Sequence, residues 1–523
     1  MEGLGGSIES HFAELATWEM HSSGEEPELP REVDAELATQ EMHPSGEEPE
    51  LPREIKDLIQ RLEGKGKPLT RFTNFYEVCK EFFPESALLW TLTGWQSQVC
   101  LRVLEAIGNC STLKYLQLAE ICGCDISKLT NTEWDGVLRG FRSSTILRDM
   151  SLYFLKWSSD TEVESLCLQL GRILSTSRVT HLTLCSCRLS ARCFLNLASG
   201  LRGNSDSKLK YLCLSNAWGD LSAAKHVADM INSAPQIKAL RLEGLDYWDE
   251  ETVGIVSQAL IHNSSLKELF LVDGIADLLQ KALAGDDGNR SIERLHLWQM
   301  WPLDRLGMDR LGDCLRELLT SNPSLKEVTL KNLEMSPEKW HQLGEVIPDN
   351  AIDIFSIFNM KLSGATNQNR RGTILSMNGK SRETSILKTL TLSVGKQLVF
   401  KGLWKYLFRC LRGNTSLTHL DFTHSEFFEE DEEAFKDLMG LLQVNLTLEE
   451  IDVRGTLWET DGKAAKIQEG LRQNRKRAVY MSVFKDAKLT FGDAKAGRLF
   501  LCGSPRAGEM RSAISIFASM YAN

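Results

Sequence analysis

The chain has 523 residues, an apolar content of 42% and a formal net charge of −11 at neutral pH. Fifteen acidic but only two basic side chains lie within residues 1–55, so the rest of the chain is close to neutral. This balance argues against a nucleic-acid-binding surface or an anionic-membrane surface, and we expect no nucleic-acid partner.

The cellular setting follows from what the sequence lacks. The 13 cysteines are scattered rather than spaced as a small disulfide framework. The N-terminus has no basic region followed by an apolar core, so no secretory signal is visible. No apolar run reaches the roughly 18 residues that a membrane span requires. We therefore expect a cytoplasmic protein without direct membrane insertion.

Residues 1–55 contain a direct duplication. The segment from Glu14 to Glu32 recurs 22 residues later, from Glu36 to Glu54, and each copy contains GEEPELPRE. A segment rich in Glu and Pro buries little apolar surface, which predicts a disordered acidic tail. The alternative is a short docking motif displayed twice, which adds avidity if a partner has two sites.

Residues 56–110 combine a helical pattern with many aromatic side chains, among them Phe72, Phe75, Trp90 and Trp95. An open-ended repeat array needs a terminal element that covers its first core layer. We interpret this segment as a helical N-terminal cap.

A strand motif dominates residues 111–480. The motif has apolar residues at its first, fourth and sixth positions, and the positions between them are free. It recurs twelve times, at intervals of 26 to 35 residues. The twelve copies begin at Leu113, Leu147, Val179, Leu209, Ile237, Leu266, Ile292, Leu325, Ile352, Leu387, Leu417 and Leu448.

Helical stretches separate these motifs, and several of them end in Asn-x-Ser/Thr-Leu, as at Asn263 and Asn322. We expect such an asparagine to end its helix in a left-handed conformation and to start the turn into the strand. A single strand–helix unit cannot bury its apolar face, whereas stacked units can. The pattern predicts an α/β leucine-rich-repeat solenoid, a horseshoe of the ribonuclease-inhibitor type with a parallel sheet on its concave side and helices outside.

The repeat pattern is interrupted once. Residues 363–385 are polar and carry few apolar side chains. A long segment of this kind inside a repeat array is either disordered or functional, and its composition favours a disordered loop.

Residues 481–523 contain the opening of a phosphate-binding loop. The apolar run LFLC at 499–502 leads into Gly503, four further residues and Gly508. Binding of nucleotide phosphates requires Lys and then Ser or Thr next, but Glu509 and Met510 stand there. Only fifteen residues follow Gly508, so we expect no complete nucleotide domain and no GTP binding.

The long repeats followed by KAGRLFLCGSPRAG at 495–508 resemble the plant Roco-type leucine-rich-repeat proteins. In that family the repeats precede a Ras-like GTPase domain and a dimerising region. The resemblance assigns the family's phosphate-binding glycines to Gly503 and Gly508. It implies a role in intracellular signalling or plant developmental patterning. It also keeps open an alternative function, a nucleotide-regulated GTPase whose catalytic domain is truncated in this chain.

Two cysteine pairs, Cys122 with Cys124 and Cys185 with Cys187, invite comparison with metal sites. Neither has the two-residue spacer of zinc knuckles or nearby histidine pairs, so packing is the preferred interpretation. We expect no metal, no cofactor and no catalytic group.

The concave face is the most specific place for a functional site. Strand positions between the apolar residues of the motif point onto that face. Arg and Trp are enriched in binding hot spots, so the middle of the face predicts a surface for another protein. The alternatives are an ordinary solvated sheet and a nuclease inhibitor, although the neutral body lacks the acidic face that a basic nuclease would need. The predicted contact residues are Arg241, Glu243, Phe270, Arg294, His296 and Trp298.

Overall fold

The computed structural model describes most of the repeat region. Most of the duplicated acidic segment, most of the aromatic segment, residues 363–385 and the glycines at 503 and 508 lie outside the described residues. The last two residues of the second copy, Arg53 and Glu54, are described and begin the first described helix. The described residues are 51, 53–73, 97–119, 131–142, 144–153, 160–176, 178–202, 204, 206–218, 221–234, 236–244, 248–300, 305–347, 350–362, 386–393, 403–423, 425 and 432–492.

Thirteen parallel strands of the described chain form one sheet in which spatial order follows chain order. A separate pair, β10 (Glu334–Met335) and β12 (Lys361–Leu362), is also parallel. The strands of the large sheet are β1 (Arg71–Thr73), β2 (Tyr115–Ala119), β3 (Asp149–Tyr153), β4 (His181–Cys185), β5 (Tyr211–Ser215), β6 (Ala239–Glu243), β7 (Glu268–Val272), β8 (Arg294–Trp298), β9 (Glu327–Lys331), β11 (Ile354–Phe358), β13 (Thr389–Ser393), β14 (His419–Asp421) and β15 (Glu450–Asp452).

Helices alternate with these strands and close the other side of the core. The described helices are α1 (Arg53–Leu62), α2 (Ser97–Asn109), α3 (Asn131–Arg142), α4 (Asp160–Thr176), α5 (Ala191–Leu201), α6 (Ala224–Ser233), α7 (Glu250–His262), α8 (Ile275–Ala282), α9 (Arg305–Ser321), α10 (Pro337–Val346), α11 (Leu403–Leu411), α12 (Glu432–Val444), α13 (Leu457–Thr460) and α14 (Lys463–Gly492).

The apolar positions of the motif form one continuous core. In the motif that contains β5, for example, Leu209, Leu212 and Leu214 are all fully buried, and the equivalent described side chains of the other motifs are buried as well. The predicted leucine-rich-repeat solenoid is therefore confirmed. All twelve motifs coincide with strands of the sheet, and β1 adds a thirteenth within the segment interpreted as a cap.

The sheet continues across the polar segment at 363–385. Strand β11 pairs directly with β13, with Ile354 opposite Thr389 and Phe358 opposite Ser393. The chain therefore returns to the same register after this segment, and the stacking of repeats is unbroken. At the other end, helix α14 runs past residue 480 to Gly492.

The asparagines of the helix-to-strand turns join neighbouring repeats through their side chains. The Asn289 amide nitrogen donates to the carbonyl oxygens of Leu260 (2.6 Å) and Asn263 (2.7 Å). Its side-chain oxygen accepts from the backbone nitrogens of Ser291 (2.8 Å) and Ile292 (3.0 Å). One buried side chain thus supplies hydrogen-bond partners to backbone carbonyl groups at the end of the preceding repeat and to backbone N–H groups at the start of its own strand.

The prediction that these asparagines adopt a left-handed conformation is wrong. Asn263 has φ −77° and ψ 118°, which is extended backbone. Left-handed residues instead follow the strands, as at Asn216 (φ 46°), Asn332 (φ 58°) and Asn359 (φ 50°). Because the asparagine side chain hydrogen-bonds across the turn, no left-handed residue is needed at the helix end. The left-handed residues lie instead in the turns that follow the strands.

Replacing Asn289 with Ala should lower the free energy of unfolding by about 3 kcal/mol, because several buried backbone groups lose their partner at once. Urea denaturation monitored by circular dichroism measures this change. The matched control is Asn232→Ala at an exposed position of α6, which we expect to alter stability by less than about 0.5 kcal/mol. Equal denaturation midpoints for the two variants would contradict the role of the asparagine.

Candidate functional site

All six predicted contact residues lie on three adjacent strands, β6, β7 and β8. We call the sheet surface that points away from the helices the open face. The register places Arg241 beside Phe270 and Phe270 beside His296, in one row across the strands. Glu243 and Trp298 occupy the next row, and Arg294 the preceding one. The parallel register therefore brings together residues that are up to 57 positions apart in the sequence.

Arg241 and Glu243 form an ion pair that is almost enclosed. The guanidinium of Arg241 donates to a carboxylate oxygen of Glu243, and the Ser215 hydroxyl donates to the other oxygen. Arg241 is only 8% exposed. Burial alone would lower the pKa of Arg241, but the adjacent Glu243 carboxylate outweighs it and holds the pKa above its ordinary value. Arg241 is thus a fixed buried cation rather than a mobile surface one.

Trp298 lies close to two cations. The guanidinium carbon of Arg241 is 5.5 Å from the ring centroid of Trp298, and Nζ of Lys331 is 4.1 Å from it. Cations at these distances are attracted by the negative face of an indole ring. Burial, with a further contribution from the charge of Arg241, lowers the pKa of Lys331. The indole is therefore in contact with one cation from β6 and one from β9.

Phe270 and His296 form a second aromatic unit. Their ring centroids are 4.2 Å apart and the rings are nearly parallel, with an angle of 11°. The His296 Nε2 atom is 3.2 Å from Oε1 of Glu268, and the Arg294 guanidinium donates to Oε2 at 2.6 Å. Burial raises the pKa of Glu268, but the close His296 ring and the hydrogen bond from Arg294 outweigh burial and lower the pKa to about 2.

Accessibility divides the six residues into two groups. The Arg294 side chain is 45% exposed, and Phe270 and Trp298 are partly exposed. Arg241 is buried, while the His296 and Glu243 side chains retain only 12% and 14% of their surface. The arrangement is a layer of accessible aromatic and cationic groups held in place by a hydrogen-bonded layer beneath.

Three residues of this network were not among the predicted contacts. Glu268 and Lys331 occupy outward strand positions, and Ser215 is the last residue of β5. The alternation of the strands indicates that each of them faces outward. Their role depends on partners in the adjacent repeat, which the sequence of one repeat does not reveal.

The described cysteine pair is consistent with packing. The buried Cys187 thiol donates to the carbonyl oxygen of Leu152 at 3.4 Å. Cys122 and Cys124 lie outside the described residues. Within the described ranges, no group of three or more His, Cys, Asp or Glu side chains could hold a metal ion. Nor is any helix of the described segments long and apolar enough to cross a membrane.

Comparison with solved structures finds similar chains at low sequence identity. One is the leucine-rich repeat-containing protein LegL7 from Legionella pneumophila, with 14% identity over 61% of this chain and 88% of that chain and a TM-score of 0.36. Another is a chain of the yeast Rad7 and Elc1 complex, with 13% identity over 87% of this chain and 94% of that chain and a TM-score of 0.33. No protein-family model and no curated protein sequence matches the chain.

The low pKa of Glu268 predicts how the site contributes to stability in acid. A carboxylate with a depressed pKa stabilises the folded state above its ordinary pKa, and this contribution is lost as the pH falls toward about 2. Between about pH 6 and pH 3 the stability difference between the natural chain and Glu268→Gln should therefore shrink by about 1 kcal/mol, after allowance for partial exposure.

Urea denaturation at a series of pH values measures this difference. Glu317→Gln, at an exposed position on α9, is the matched control. The network is contradicted if the stability difference between the natural chain and Glu268→Gln is the same at every pH.

Proposed function

We propose that the chain is a non-catalytic repeat scaffold that binds another protein across the open face of β6–β8. The observation that carries this proposal is the partly exposed group of Phe270, Arg294 and Trp298 above a buried ion-pair network. Aromatic and arginine side chains in desolvated surroundings contribute most of the binding energy in protein interfaces. The site therefore has the residue types, and the ordered side chains around them, that are expected at the centre of a protein interface.

The buried layer has a separate role in this proposal. Arg241 and Lys331 hold the indole of Trp298, and His296 stacks on Phe270. Side chains that are already immobilised lose less conformational entropy when a partner binds. Arg241, Glu243 and His296 thus position the contacting groups more than they contact the partner.

The resemblance to plant Roco-type proteins suggests a narrower assignment. We propose that the scaffold acts in cytoplasmic signalling or in plant developmental patterning, as a chain similar to the Tornado 1 repeat region would. The second candidate, a nucleotide-regulated GTPase of the Roco type, rests on Gly503 and Gly508, which lie outside the described residues. Saturable binding of a fluorescent guanine nucleotide with magnesium would favour this second candidate over the first.

The scaffold proposal predicts that Phe270→Ala and Trp298→Ala each raise the dissociation constant of the partner about 30-fold, which corresponds to about 2 kcal/mol. The partner is first isolated on the full-length chain, then purified, and its affinity is measured by isothermal titration calorimetry. The thermal unfolding midpoint of each variant should stay close to that of the natural chain, because both side chains lie outside the core.

The matched control is Leu195→Ala on α5, where the leucine is 38% exposed on the helical side. It should change the dissociation constant less than about twofold. If the Trp298→Ala and Leu195→Ala variants bind the partner equally well, the open face is not the interface.

A further inference from the structure

The edge of the sheet at which the strands begin carries a separate charged feature. The residue just before each strand is bonded to its counterpart in the next repeat. The Arg148 nitrogen donates to the carbonyl oxygen of Lys114 at 2.9 Å, and the Lys238 nitrogen donates to that of Lys210 at 2.7 Å. These residues therefore form a single row, with neighbours about 4.8 Å apart as in any sheet.

The first half of this row is almost entirely basic. From β2 to β6 it contains Lys114, Arg148, Thr180, Lys210 and Lys238. Two more cations, Arg178 and Lys208, lie two residues before Thr180 and Lys210 in the same connections. We call the six cations the basic rim: Lys114, Arg148, Arg178, Lys208, Lys210 and Lys238.

Carboxylates are nearly absent from this edge. In the described residues of the five connections that lead into β2–β6, Asp206 is the one acidic side chain. Five of the six rim cations are exposed, and none forms an ion pair with a described residue. Among the described residues, Arg148 donates to the backbone carbonyl oxygens of Thr145 and Leu147, and Lys238 donates to that of Ser265.

In the second half of the same row, the cations are paired with carboxylates of neighbouring repeats. Glu293 accepts from Lys267 at 3.0 Å and from Lys326 at 2.6 Å, and Lys388 is 3.2 Å from Asp353. The backbone geometry is the same in both halves, so the difference lies in the residue types alone. The chain thus places complementary carboxylates beside the later cations but not beside the rim.

We propose that the basic rim is a second interaction surface and that it binds an acidic segment of a protein partner. An unneutralised row of cations attracts a chain of carboxylates and steers its approach. The row spans four strand spacings, or about 19 Å from Lys114 to Lys238, which suits a short linear segment. It lies at the beginning of the strands and not on the open face, so it is distinct from the site around Trp298.

The other anionic partners fit the rim less well. Single-stranded nucleic acids are bound by basic grooves with aromatic side chains on which bases stack, and the described residues of these connections contain no aromatic group. Membrane-surface binding by an amphipathic element adds apolar side chains that insert between lipids, and the rim contains none.

The test uses the full chain and a fluorescent glutamate decapeptide, with binding followed by anisotropy. The rim variant changes Lys114, Arg178, Lys208 and Lys210 to Ala. The control variant changes Lys225, Arg316, Lys436 and Lys476 to Ala, which removes the same charge from exposed positions elsewhere. We expect the rim variant to bind the peptide about tenfold more weakly and the control less than twofold.

Raising the salt concentration should weaken binding to the natural chain and barely affect the rim variant. The Trp298→Ala variant should bind the peptide normally, which separates this surface from the proposed interface on the open face. Equal loss in the rim and control variants would overturn the proposal. So would tighter, rim-dependent binding of an oligothymidylate of the same length or of phosphatidylserine-containing vesicles.

Discussion

A single strand–helix unit of this chain has no partner within itself for its apolar face, and every other feature depends on this constraint. Leu212 and Leu214 are fully buried only because the equivalent residues of the repeats on either side cover them. The core therefore fixes the register of each strand against the next. Because strand side chains alternate, the same register also aligns the outward residues in rows across the sheet.

The rows explain how ordinary side chains become an organised surface. Arg241, Phe270 and His296 come from three repeats, yet they are neighbours in one row. Polar groups in such a row either pair with each other, as Glu268 does with Arg294, or remain available to a partner. The buried asparagines hold the repeats in the spacing on which these contacts depend.

The repeat pattern predicted the core closely, because each inward position has to be apolar whatever its neighbours are. It missed β1, since the strand motif there begins at Leu69 and Phe72 but has Asn74 at its third apolar position. It also placed the left-handed turn at the helix end, where the Asn263 side chain in fact makes the turn from extended backbone.

The site was harder to predict than the core. The outward residues could be read from the sequence, but the burial of Arg241 and its approach to Trp298, two strands away, could not. The basic rim was hidden for a different reason. The net charge of the repeat region is near zero, and only the stacking shows that cations gather in the early repeats while later ones pair with carboxylates.

The central claim is that a protein partner contacts the open face at β8. The most direct measurement introduces a photoreactive phenylalanine at the position of Arg294 and, separately, at that of Leu195, and then identifies cross-linked proteins by mass spectrometry. The account predicts that the partner is cross-linked efficiently from the Arg294 position and not from the Leu195 position. Cross-linking from the Leu195 position alone would contradict it.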